Sequence, residues 1–170
     1  MKGRHVALVA VAGLVSGCTT TIPGTALPVP GPIAASTDPC ALLTDAEAAQ
    51  LGLRGPGAPK AAEPQYRTPP SCTWSSSNPD ASYDGALQAF YSTDIPIGSY
   101  YSTQPNGQEQ LGGVTWQVYP SAIGDFICDL AVQLSPNSFV ALSSQDLADT
   151  SKACAIAEKA APVVAKHLPR

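Results

Sequence analysis

Five cysteines constrain this chain more than any other feature, because one of them follows an apolar leader and four lie in the body of the sequence. Cys18 comes directly after Val15-Ser16-Gly17, at the end of the leader. The remaining cysteines are Cys40, Cys72, Cys128 and Cys154. An even set of cysteines in an exported chain is typical of disulfide bonds. We therefore expect one small domain that is held together by two disulfides.

The leader, residues 1–17, has the pattern of a bacterial lipoprotein signal peptide. Lys2 and Arg4 precede about ten apolar residues, which suits a signal-peptide apolar region and is about half the length of a membrane-spanning helix. The small residues before Cys18 resemble a lipobox. This resemblance implies cleavage before Cys18 and attachment of acyl chains to it, which together would anchor the protein stably. A buried or disulfide-bonded Cys18 behind an ordinary secretory signal is the alternative.

Residues 18–37 are expected to form a tether between the lipid and the domain. They are rich in threonine and proline and show neither helical nor strand periodicity. An extended proline-rich chain covers about 3.1 Å per residue, so the tether could place the domain up to about 60 Å from the membrane. Packing of part of this segment as an edge strand is the alternative. The predicted location is the outer leaflet of the cell membrane, on its extracytoplasmic side.

The charge of the chain argues against a nucleic-acid partner. Loss of Lys2 and Arg4 with the signal changes the formal net charge from −4 to −6. Nucleic-acid binding needs clustered lysine and arginine, and the mature chain has no basic stripe. No cofactor motif is present, and the cysteine spacing matches neither a redox C-x-x-C pair nor a zinc site. The expected partners are the membrane, through the anchor, and an unidentified envelope protein, lipid or glycan.

Residues 38–170 predict a single α+β domain with a short N-terminal helix and a longer C-terminal one. Thr44 and Glu47 form a capping-box pattern ahead of a helix over residues 45–51, which Gly52 ends. Residues 53–70, with several prolines, are expected to form a long surface loop. An apolar stripe predicts a second helix from about Asp149 to His167, in which Pro162 should kink or divide the axis.

Alternating residues between the two helices predict a mostly antiparallel sheet of about five strands, packed against the helices on one face. The stretch over residues 94–106 is ambiguous. The clearest strand covers residues 126–134, and the turn after it predicts a hairpin with the strand that begins at Phe139. The predicted strands are residues 71–74, 83–91, 114–119, 126–134 and 139–142.

Three pairings of the four domain cysteines are possible. We favour Cys40 with Cys72 and Cys128 with Cys154, since each bond would join a residue near a helix to a strand that should pack beside it. Loops of about thirty residues would then be closed, each worth about 3 to 4 kcal/mol in a chain-entropy model.

Few residues offer chemistry. Once the signal is removed, His167 is the only histidine, and its place near the chain end favours a structural role over general-base catalysis. Asp125 and Asp129 lie near the start of the strand that carries Cys128. Tyr100 and Tyr101, in a Gly/Ser-rich setting, are candidates for the rim of a binding site, with core or loop packing as the alternative.

Several motifs together resemble a known family. They are the lipobox, the proline-rich tether, the opening Asp38-Pro39-Cys40-Ala41-Leu42-Leu43-Thr44, the Cys72-Thr73-Trp74 strand and the C-terminal helix with its cysteine. In this order they resemble the actinobacterial lipoproteins grouped as domain of unknown function 3558. The resemblance implies a surface lipoprotein and supplies no catalytic residues.

Two functional hypotheses follow. The first is a non-enzymatic binding or accessory domain that presents its sheet or aromatic loop to a cell-envelope component. The second is an envelope hydrolase that uses carboxylates such as Asp125 and Asp129. Two carboxyls converging in a cleft would favour the enzyme, whereas an apolar groove lined by tyrosine and tryptophan would favour binding.

Overall fold

The computed structural model of the chain describes residues 36–81 and 84–169. The predicted signal peptide, Cys18 and the tether up to residue 35 lie outside the described residues, and so does Tyr83. Lipidation at Cys18 therefore stays a prediction. Within the described ranges, no helix is both long enough and apolar enough to cross a bilayer.

Seven antiparallel strands form one sheet with the order β1-β2-β3-β7-β6-β5-β4. The prediction of an antiparallel sheet is confirmed, but the expected number of about five strands is wrong. With so few helical residues the domain is mostly β. The strands are β1 Leu53–Lys60, β2 Ser71–Ser76, β3 Leu87–Ser92, β4 Gly107–Leu111, β5 Val114–Pro120, β6 Ile127–Ser135 and β7 Ser138–Gln145.

Both of the strands missed in the sequence lie at the edges of the sheet. β1 occupies residues that were predicted to be a surface loop, and its pairing with β2 is irregular between Arg54 and Ala58. Pro56 and Pro59 fit this strand because an edge strand can leave one side of its backbone unpaired. β4 pairs only with β5, across a turn made by Gly112 and Gly113. The residues of β4 are exposed or half-buried, so the hydrophobic alternation that identifies a strand in sequence is weak.

The first helix, α1 (Asp45–Gln50), is confirmed together with its capping box. The Thr44 side chain accepts from the Glu47 backbone N–H, and the Glu47 carboxylate accepts from the Thr44 backbone N–H. Gly52, with φ +77°, follows the helix in the left-handed conformation that glycine adopts without strain. A 3₁₀ turn, Pro39–Leu42, precedes the helix and carries Cys40.

Glu47 also joins the two ends of the domain. Its carboxylate oxygens each lie 3.0 Å from His167 Nε2, near the C-terminus. Burial raises the pKa of Glu47, but hydrogen bonds from His167 and Thr44 outweigh burial and lower the pKa from 4.5 to about 2. The structural role expected of His167 is therefore the one the contacts support.

We expect Glu47→Ala to lower the free energy of unfolding by about 1 to 2 kcal/mol at neutral pH, since it removes half of a capping box and the hydrogen bond to His167. The lowered pKa means that the Glu47 contribution is present above pH 4.5 and is lost as pH falls toward about 2. Urea denaturation at several pH values checks this. Glu63→Ala, which removes an ion pair to Lys60, is the control and should cost less than about 1 kcal/mol. A Glu47→Ala effect that is equal at pH 2 and pH 7 would contradict the expectation.

The C-terminal helix, α3, is shorter than predicted and covers Ala155–Val164. Asp149 caps a separate 3₁₀ turn, Thr150–Lys152, instead of the helix itself. Pro162 does not divide the helix, because it lies in the last turn, where the helix continues only to Val164. The predicted apolar stripe is confirmed in its centre, where Ala157, Ala161 and Val164 are buried.

Alternation along the strands gives the sheet two apolar faces. The first face packs against α1 and α3 around the main core, to which β6 contributes Cys128, Leu130 and Val132. The second face carries a smaller core and is covered by the short helix α2 (Ile97–Tyr100), which lies in the stretch that was ambiguous in sequence. The expectation that helices pack on one face only is therefore incomplete.

Two disulfide bonds tie the N- and C-terminal segments to the sheet. Cys40 is bonded to Cys72 in β2, and Cys128 in β6 is bonded to Cys154, just before α3. These are the pairs favoured from the sequence.

Candidate functional site

The second face of the sheet holds the candidate site. Its buried residues come from four adjacent strands, with Phe90 from β3, Phe139 and Ala141 from β7, Ala131 from β6 and Tyr119 from β5. The segment that contains α2 covers part of this face with Ile95, Ile97, Tyr100 and Tyr101. The site is therefore built from strand residues below and one short segment above.

Tyr100 and Tyr101 pack onto the sheet instead of projecting from a loop. The Tyr101 ring stacks on Tyr119 with centroids 3.9 Å apart and an angle of 9° between the planes. The Tyr100 ring lies 5.2 Å from Phe139 and 5.7 Å from Phe90. These ring contacts hold the covering segment against the strands. The alternative expectation, that the two tyrosines pack in the core or in the loop, therefore applies to the part of each side chain that contacts the sheet. Both tyrosines nevertheless stay partly exposed.

The exposed parts of the two tyrosines line a depression of about 250 Å³. Asp129 of β6 also lines it. Ser102, Thr103, Pro120 and Ala122 complete the lining. The register places Asp129 between Tyr119 of β5 and Ser143 of β7. Thus the depression combines aromatic rings, small hydroxyl side chains and one carboxyl.

The Asp129 carboxyl is hard to ionise. Burial raises its pKa, and the Ser143 hydroxyl acts in the opposite direction without cancelling the effect of burial. Burial also raises the pKa of Tyr100 and of Tyr101, and the negative charge of Asp129 raises both further. The carboxyl and the two phenols are therefore close enough to affect each other, and both phenols are neutral hydrogen-bond donors at physiological pH.

The raised pKa of Asp129 predicts the sign of a stability effect. Its folded state holds a proton more tightly than the unfolded chain, so stability is lost as pH rises through the raised pKa. Because asparagine cannot ionise, we expect Asp129→Asn to be more stable relative to wild type at pH 7 than at pH 3. Asp125→Asn, at an exposed position just before β6, controls for the loss of one charge and should change stability by less than about 0.5 kcal/mol at both pH values. Denaturation curves in urea measure both differences. A relative stability of Asp129→Asn that falls between pH 3 and pH 7 would contradict the expectation.

The other candidates from the sequence lie elsewhere. Asp125 is exposed and does not line the depression, so the structure does not bring it together with Asp129 there. Trp74 and Trp116 are buried in the main core. Among residues 36–81 and 84–169, no group of three or more His, Cys, Asp and Glu side chains is placed to hold a metal ion.

Sequence reasoning missed Ser143 and the hydroxyl residues beside Tyr101 as parts of the site. A signal was present in the alternation along β6, where Asp129 and Ala131 fall on the face opposite to Cys128 and Leu130.

A comparison with protein families identifies the family to which the chain belongs. The model of a family described as "Protein of unknown function (DUF3558)" matches residues 13–167, which is nearly the whole sequence. The chain belongs to this family. The resemblance drawn from the sequence motifs is thereby confirmed, while an actinobacterial source stays a prediction. No curated protein and no solved structure matches this DUF3558 chain.

Proposed function

We propose that this DUF3558 chain is a lipid-anchored envelope protein that binds a ligand on the second face of its sheet. The anchor would be Cys18, and the tether would hold the domain on the outer side of the membrane. The domain acts as a binding or accessory module, without chemistry of its own.

The support for binding is the depression beside Tyr100 and Tyr101. Ligand sites are concave and contain a few polar groups that fix the orientation of the ligand. The depression is concave, and two aromatic rings, one carboxyl and small hydroxyl side chains meet there, on a face that α1 and α3 leave uncovered. Of the residues that the structure describes, Asp129 alone contributes a carboxyl to the lining, whereas a glycosidase-type hydrolase uses two.

The support for anchoring comes from the sequence. The leader before Cys18 has the charge, length and small residues of a lipoprotein signal, and the four remaining cysteines are used in disulfides. Neither of these two bonds uses Cys18.

Metabolic labelling with an alkyne fatty acid tests the anchor. We expect label on the wild-type protein and its recovery in the membrane fraction, whereas Cys18→Ser should lose the label. Cys154→Ser removes a cysteine of the domain and should keep it. Equal label on wild type and Cys18→Ser would refute lipidation at this residue.

Amide NMR of the full chain in a non-ionic detergent tests the binding face. We expect ligands drawn from fractionated envelope glycans, lipids and peptides to shift amides over residues 100–103 and 119–122. Tyr101→Ala should abolish these shifts, whereas Tyr66→Ala, at a residue 74% exposed and outside the depression, should not. Saturable shifts confined to other surfaces would refute the proposed face.

A further inference from the structure

The chemistry of the depression narrows the class of ligand. Among the described residues that line it, Asp129 is the only acidic one, and none is lysine, arginine or histidine. Its neighbours across the sheet are Tyr119 and Ser143, which carry no positive charge. From above, the groups that face the carboxyl are Tyr100 and Tyr101. The surroundings of this carboxyl in the described structure therefore offer it hydroxyls and rings, and no cation.

Two lysine side chains of the domain form ion pairs on other parts of its surface. Lys60 pairs with Glu63 at 3.1 Å, and Lys152 pairs with Asp149 at 2.8 Å. The groups that surround Asp129 in the described structure, by contrast, carry no positive charge. A partly buried carboxylate without a counter-charge is costly, and a bound cation would remove that cost.

We propose that the depression binds an alkylammonium group, with the Asp129 carboxylate as its counter-ion and the Tyr100 and Tyr101 rings beside it. This inference rests on the proposed function and specifies the ligand for the same face. The ammonium donates hydrogen bonds to the carboxylate, and the phenol oxygens of the tyrosines offer further acceptors.

Size is consistent with this ligand. A water molecule takes up about 30 Å³ of liquid, so a depression of about 250 Å³ has room for a short alkyl chain that ends in an ammonium group. A neutral sugar could also hydrogen-bond to Asp129, but it would leave the charge of the carboxylate uncompensated. Charge complementarity therefore favours the ammonium.

Titration of the full chain with n-butylammonium chloride, followed by amide NMR in non-ionic detergent, tests the inference. We expect saturable shifts over residues 100–103 and 119–122. The neutral analogue n-butanol, in sodium chloride of equal ionic strength, should bind at least about tenfold more weakly, because a hydrogen bond to a charged group is worth about 1.5 to 3 kcal/mol. This comparison uses wild-type protein and so does not depend on the folding of a variant.

Two variants extend the test. Asp129→Asn should weaken n-butylammonium at least about tenfold, whereas Asp125→Asn should bind within about twofold of wild type. Equal binding of n-butanol and n-butylammonium, or undiminished binding to Asp129→Asn, would overturn the inference.

Further measurements distinguish the possible sources of the ligand. They also show whether the ammonium inference fails alone or together with the proposed binding face. Tighter binding of Nα-acetyl-lysine-N-methylamide than of n-butylammonium would support a lysine side chain of a partner, and the reverse would support a free amine. If methyl glucoside shifts the same amides and n-butylammonium does not, the ammonium inference fails and the binding face stands. If no probe and no envelope fraction shifts these amides, both fail.

Discussion

Removal of the disulfide between Cys128 and Cys154, as the double variant Cys128→Ala/Cys154→Ala, should lower the free energy of unfolding by about 3 to 4 kcal/mol. The two cysteines are 26 residues apart in sequence, and their bond ties the start of α3 to the centre of the sheet. A chain-entropy model attributes the loss mainly to the larger freedom of the unfolded chain. Guanidinium denaturation of wild type and variant, both unreduced, measures the difference.

A matched set of double variants also tests the pairing itself. Cys40→Ala/Cys72→Ala removes the other bond, which spans 32 residues, and should cost a similar amount. Cys72→Ala/Cys128→Ala removes one cysteine from each bond and should lose both, so its cost should approach the sum of the other two. A cross-pair variant that is as stable as either of the others would contradict the pairing, as would a peptide in unreduced digests that links Cys72 to Cys128.

Gly112→Ala should destabilise the domain by about 3 kcal/mol, through strain and crowding together. Gly112 has φ +64°, which is unfavourable for alanine. Its new Cβ would lie 2.6 Å from the Pro162 Cα and 2.9 Å from the Ala165 Cβ, so α3 would have to move away from the β4–β5 turn. Thermal or chemical denaturation measures the loss.

The neighbouring glycine supplies a control one residue away. Gly113 has φ +78° but no heavy atom within 4 Å of the position its Cβ would take. Gly113→Ala should therefore cost only the conformational strain, about 1 kcal/mol. Equal costs at the two positions would mean that α3 does not pack against this turn.

Local sequence patterns were sufficient to predict the features that depend on a few neighbouring residues. The capping box at Thr44 and Glu47 requires only side chains three residues apart, so it could be read without knowledge of the fold. The strand and hairpin around β6 were also recognisable, because alternation and a turn sequence coincide there.

The edge strands could not be predicted from the same rules. β1 contains two prolines and two glycines, which usually indicate a loop, and its pairing with β2 depends on residues far along the chain. Residues 84–86, which belong to the predicted strand over residues 83–91, are not strand either, since β3 begins at Leu87. The extent of a strand depends on its partners, and local sequence does not contain that information.

The sequence pointed to individual residues of the candidate site but not to their arrangement. Tyr100, Tyr101 and Asp129 were each singled out for composition or position, but as members of two competing hypotheses. They lie close together because α2 folds back over the second face. No periodicity in residues 94–106 predicts this arrangement. Asp125 was grouped with Asp129 by closeness in sequence, yet β6 begins between them and carries Asp129 alone into the sheet.

The pKa of Asp129, followed through the chemical shift of its carboxyl carbon with and without n-butylammonium, is the most direct test of the proposed site. We expect a pKa above the usual aspartate value of about 3.9 in the free protein, since the carboxyl is partly buried without a counter-cation, and a lower value when the ammonium is bound. A pKa at or below about 3.9 that does not change with the ammonium would show that Asp129 is an ordinary solvated carboxylate and would contradict the assignment of this face as a binding site.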